Sequence, residues 1–144
     1  MNTLRLACAA LLMSIFYPAW GDDVTNKISV CDLGKAPEKI DGAQVRLLAK
    51  YMTDLRHGSL FFSDHCSTSV REGANRSTHV DKSVDAFHHA VQEHSLPRGL
   101  ITFEVDVSGT FHLQEHAPSD TSPGSSGAFV IEKVWSFRRI EANQ

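Results

Sequence analysis

Apolar and polar residues alternate through most of this chain, and the period changes only once. Over residues 44–52, Val45, Leu47, Ala49 and Tyr51 share one face, while Arg46 and Lys50 mark the other together with Leu48 and Met52. A two-residue period predicts a half-buried strand. Arg56-His57-Gly58 reads as a turn, and 59–63 returns as a second strand with Leu60 and Phe62 opposite Phe61. Further on, Ile101, Phe103, Val105 and Val107 alternate with Thr102, Glu104 and Asp106; Ser108-Gly109 then predicts a hairpin turn into a strand over 110–115. A last strand is expected over 128–140, with Phe129, Ile131, Trp135 and Phe137 on one face.

The change of period falls between the second and third of these strands. Val80, Val84, Phe87 and Val91 recur at helical spacing, which predicts a helix over 82–94 with Asp81 as its N-cap and Pro97 and Gly99 beyond its end. Upstream, 28–30 reads as a short extended piece, and 32–42 as a turn or two of helix, with Pro37 suited to a first helical position and Gly42 to an end. The polar, Ser/Gly-rich runs 64–78 and 117–127 are expected to be long loops.

Five strands and one helix approach the layout of a small Greek-key barrel of the oligonucleotide/oligosaccharide-binding (OB) kind, where the helix lies between strands three and four. The count puts the helix one strand too early, so 28–30 or a piece near Val70 is expected to supply the missing strand. The fold class is therefore mainly β, a five-stranded OB-like barrel with one helix. The segments Val30-Cys31-Asp32-Leu33, Pro37-Glu38-Lys39-Ile40-Asp41-Gly42 and Val45-Arg46-Leu47 resemble the opening of small exported OB-like proteins of largely uncharacterised function. In those, a short helix leads into a Val-x-Val strand and a cysteine follows the second strand. Val130-Ile131-Glu132-Lys133-Val134 is similar to their last strand. These motifs are structural, so the resemblance implies a fold and a bacterial, periplasmic setting rather than an activity.

The first residues point to export as well. Arg5 precedes an uncharged apolar run over 6–20, and Ala19 and Gly21 stand at the −3 and −1 positions of a cleavage site, with Asp22 as the expected mature start. This is the pattern of a secretory signal peptide over 1–21, and the run is short of the ~20 apolar residues that span a bilayer. Residues 22–144 suffice for one domain. A periplasmic or secreted location follows, with no stable membrane insertion after cleavage. Cys8 opens the apolar run instead of following it, which argues against lipidation. The remaining two cysteines, Cys31 and Cys66, are expected to be bridged in an oxidising compartment.

With 14 Lys and Arg against 17 Asp and Glu, the chain is mildly acidic and lacks a basic, aromatic-rich face, so nucleic acid is not an expected partner. Eight histidines raise the question of a metal. His112-Leu113-Gln114-Glu115-His116 matches an H-x-x-E-H string, but on a strand its histidines would stand ~13 Å apart, too far to share a zinc ion. Asp85, His88 and His89 lie within about one turn of the predicted helix and, with His112, make the candidate metal set for zinc or copper. Clustered histidines would also give a patch titrating near pH 6. Asp64-His65-Cys66 offers no nucleophile if Cys66 is bridged, and there is no G-x-S-x-G, phosphate loop or C-x-x-C. Asn75-Arg76-Ser77 forms a glycosylation sequon, relevant only in a eukaryotic secretory pathway. The reading that results is a non-enzymatic exported binding domain without a cofactor, for a glycan or an envelope protein, with Tyr51, Phe61 and the two long loops as candidate binding elements. The alternative is a small metal-binding protein or metal-dependent enzyme using the histidines.

Overall fold

The computed structural model describes residues 27–94, 99–114 and 125–141. The expected signal sequence, His116 and most of the second Ser/Pro/Gly loop lie outside the described residues.

Strand β1 (Lys27–Ser29) leads into helix α1 (Val30–Lys35). Ser29 caps α1 in a reciprocal box: its Oγ accepts from Asp32 N at 3.2 Å, and the Asp32 carboxylate accepts from Ser29 N at 3.1 Å. The helix expected over 32–42 is thus two pieces, α1 and a single 3-10 turn opened by Pro37 (Pro37–Lys39). The chain then reverses at Gly42, whose φ of 72° suits glycine.

Strands β2 (Gln44–Thr53) and β3 (Ser59–Phe62) follow as the alternation predicts. Between them the turn contains Leu55 at φ 60°, braced by Thr53 Oγ1, which accepts from Leu55 N, and by Asp54 Oδ1, which accepts from Arg56 N and His57 N. The supposed loop over 64–78 contains β4 (Ser69–Glu72), the missing strand near Val70. Helix α2 (Lys82–Glu93) starts at Asp81, whose carboxylate accepts from Ser83 N, and buries Val84, Phe87 and Val91. Val80 precedes the first turn and is left exposed rather than joining that stripe.

Strand β5 (Ile101–Leu113) runs straight through the expected hairpin turn. Ser108-Gly109 is a register shift, not a reversal: a Cβ on Gly109 would sit 1.9 Å from Val130 O, so glycine is there to let a neighbouring strand approach. The neighbour is β6 (Ser125–Ile140). A second register shift lies opposite Asp106 and Val107, and both shifts insert one extra β6 residue, so the inward positions run Phe129, Ile131, Val134 and Phe137. Val134 is buried, and Trp135 is left on the outside against the single apolar face the sequence suggests. Phe137, though partly exposed, packs on Phe87 and Phe103 at 5.3 and 6.2 Å.

The strands close in the order β2-β3-β4-β6-β5 and back to β2, with β1 added in parallel along the first half of β2. Only β4–β6 is parallel within the barrel. Helix α2 joins the third and fourth barrel strands, which gives an OB-like Greek-key barrel. Inside it, Tyr51 packs edge-on against Phe61 and Phe87 at 5.3 and 5.0 Å, and Phe61 against Phe129 at 5.5 Å. A Cys31–Cys66 disulfide ties α1 to the segment before β4. Among the described residues, no helix is long and apolar enough to cross a membrane.

Candidate functional site

At one end of the barrel the inward alternation passes from apolar to polar. Phe61 and Val70 are fully buried, but the inward positions two residues away on the same strands are Ser59 and Glu72. Both turn toward the rim, where α2 crosses, and both meet the hydroxyl of the buried Tyr51. That hydroxyl lies 2.7 Å from Glu72 Oε2 and 2.8 Å from Ser59 Oγ. From α2, His88 Nε2 donates to Glu72 Oε1 at 2.8 Å. One carboxylate therefore joins β2, β3, β4 and α2.

The electrostatics follow from these contacts. Burial pushes the Tyr51 phenol well up, and the Glu72 charge adds to this, so Tyr51 stays a proton donor. With its one proton directed at the carboxylate, Tyr51 Oη accepts from Ser59. Burial works to raise the Glu72 carboxyl, yet hydrogen bonds from His88 and Tyr51 hold it below the usual range, so it stays ionised. His88 is raised, mainly by its hydrogen bond to Glu72 and against partial burial, with Asp85 adding attraction. The Glu72 side chain is 18 % exposed and that of His88 42 %.

Two clefts meet at this carboxylate, sharing Gly58, Ser59 and Glu72. One, of about 360 Å³, lies along the β2–β3 turn and is lined by Met52, Asp54, His57, Leu60, Arg71 and Leu100. The other, of about 340 Å³, runs under α2 past Gly73, Asn75, Val84 and His88. Asn75 is committed to structure there, donating to Ile131 O and accepting from Ser77 N. A larger concavity of about 470 Å³ crosses the outer face of β3, β2, β5 and β6. Its charges are paired with one another, Lys50 with Asp64 and Arg138 with Glu104. On the same outer face Arg46 pairs with Asp106 and, with Lys133, lies over the Trp135 ring at 4.3 and 4.1 Å.

The residues singled out from the sequence disperse. Tyr51 and Phe61 are core side chains, 2 % and 0 % exposed, so neither offers a ring face to a ligand; Tyr51 reaches the site through its hydroxyl alone. Asp85 and His89 lie on exposed positions of α2, His89 beside Glu93, and His112 is exposed near the end of β5. Only His88 of that set joins the site, and its partner is a carboxylate. Among the described residues, no group of three or more His, Cys, Asp or Glu is placed to hold a metal ion. Of the two loops, 64–78 contributes Glu72, whereas 117–127 lies outside the described residues up to residue 124. Glu72 and Ser59 are absent from the sequence reading; the available signal was a polar residue at an inward position beside Val70 and Phe61.

The fold and the site define a small OB-like barrel with a carboxylate-centred pair of clefts. No protein-family model, curated protein or solved structure matches the chain.

Proposed function

We propose that the chain is an exported, non-enzymatic binding domain that takes the polar group of an envelope component into the paired clefts around Glu72. One observation carries this reading: on one barrel end, a shielded but ionised carboxylate, a hydroxyl and an imidazole converge on two adjoining concavities. The β2–β3 turn beside them belongs to the region that OB barrels use for ligands. Met52, Leu60 and Leu100 supply apolar lining on the turn side, which suits a ligand with both polar and aliphatic parts. The signal sequence over 1–21 supports export, with Asp22 as the first mature residue.

The test is amide-shift mapping of the ¹⁵N-labelled mature domain against neutral oligosaccharides and short cationic and anionic peptides. Saturable shifts at Gly58, Ser59, Gly73 and His88, lost in Glu72→Gln, are expected from at least one class. Shifts confined to other faces, or none from any class, overturn the reading. Intact mass of the exported protein checks the start at Asp22.

A further inference from the structure

We infer that the cleft under α2 selects an aliphatic ammonium group, with Glu72 as its counter-charge and His88 as the built-in cation it displaces. The inference rests on the binding reading above and names the ligand chemistry.

The cleft's lining contains two ionisable groups, Glu72 and His88; the rest are Gly58, Ser59, Gly73, Ala74, Asn75, Val84 and Ile131. With His88 neutral, its formal charge is that of one carboxylate, in a space that admits a small organic group. A shielded carboxylate calls for a cation of good geometry. Without ligand, imidazolium fills that role at 2.8 Å. The two partners of Glu72 differ in how easily they can be replaced. Tyr51 is wedged among Phe61 and Phe87 and donates from the core side. His88 stands on the open side, and its ring meets Phe87 in a tilted contact at 5.7 Å. Facing His88 are Glu72 from β4 and Asp85 from its own helix, with the Tyr51 hydroxyl of β2 behind Glu72. Both charged neighbours favour a cation at this position.

Competition with His88 gives a sign that can be checked. Below its raised midpoint the imidazolium holds Glu72; above it the ring is neutral, while an alkylammonium, with a pKa near ~10, keeps its own charge. Affinity for the amine therefore rises with pH while His88 is protonated, by at most about tenfold per pH unit, the limit for one displaced proton.

The probes are 1,4-diaminobutane and the tripeptide Gly-Lys-Gly, with 1,4-butanediol and the Nε-acetylated tripeptide as neutral counterparts. Each is titrated into wild type, Glu72→Gln and His88→Ala at pH 6 and pH 8. The expected result is that an ammonium probe shifts Ser59 and Gly73 amides, binds more tightly at pH 8 than at pH 6 by no more than about tenfold per pH unit, and loses this pH dependence in His88→Ala. Tighter binding of the diamine points to a free polyamine, and tighter binding of the tripeptide to a lysine side chain. Binding of neutral and charged probes alike, or a pH profile unchanged by His88→Ala, overturns the inference while leaving the clefts as a binding site. Absence of cleft shifts from these probes and from the wider panel overturns both.

Discussion

Replacing Tyr51 by Phe removes one oxygen and leaves the ring in place. The ring keeps its edge contacts with Phe61 and Phe87 at 5.3 and 5.0 Å, so no cavity opens. What is lost is the 2.7 Å hydrogen bond to an ionised, largely shielded carboxylate, together with a partner for Ser59 at 2.8 Å. A hydrogen bond to a charged group contributes about 1.5–3 kcal/mol. Ser59 sits at the rim and recovers part of its loss from water, so the expected destabilisation is about 2 kcal/mol, roughly 8 °C in Tm for a domain of this size. The assay is urea unfolding followed by circular dichroism at pH 6, with Glu72→Gln and the double variant completing a cycle. Glu72→Gln removes the charge that strengthens the bond, so in that background the loss on Tyr51→Phe should fall below about 1 kcal/mol. A loss under about 0.5 kcal/mol in the wild-type background, or an equal loss in both backgrounds, would refute the claim that Tyr51 serves an ionised Glu72.

Three further outcomes are expected. The Glu72–His88 pair contributes fully between about pH 4.5 and 6.5, because Glu72 is lowered and loses its contribution as pH falls through its folded value, while His88 is raised and loses its own as pH rises through its folded value. His88→Ala should flatten the alkaline limb of a stability–pH profile, and an unchanged limb would remove His88 from the account. Reducing Cys31–Cys66, which spans 35 residues, should destabilise by about 4 kcal/mol on the chain-entropy view, read by denaturant midpoints with and without reductant. Gly109→Ala places a methyl group against Val130 O and should cost at least about 3 kcal/mol or prevent accumulation of folded protein; near-native stability would contradict the bulge geometry.

The sequence revealed elements where a single period persists. Val45, Leu47 and Tyr51 on β2 and Val84, Phe87 and Val91 on α2 are buried as their spacing predicts. It pointed no further than a piece near Val70 where four residues form a strand inside a polar run, since Val70 is the one apolar residue of β4 and no apolar alternation can be seen. It misled where a bulge shifts the phase. Ser108-Gly109 has the composition of a hairpin turn, and only the partner strand reveals that it serves a close backbone approach. Trp135 follows the same logic on β6. The site was hidden for a related reason. Tyr51 reads as an aromatic surface, yet it meets the candidate site through its hydroxyl; Glu72 reads as a loop residue, and Ser59, on the expected second strand, is not seen as its neighbour until β3 and β4 are paired. Among the histidines, His88 differs from His89 only in which side of α2 it occupies, a distinction of one residue in the helical phase.

The account stands most directly on the competition between ligand and proton at Glu72. Binding linkage is reciprocal, so an amine favoured by deprotonation of His88 must lower the apparent pKa of His88 when bound. The decisive measurement is the NMR titration of the His88 ring, alone and with saturating 1,4-diaminobutane. A midpoint raised above that of an ordinary histidine in the free protein, and shifted down by the diamine, is the predicted result. A His88 midpoint that saturating diamine leaves unmoved would contradict it.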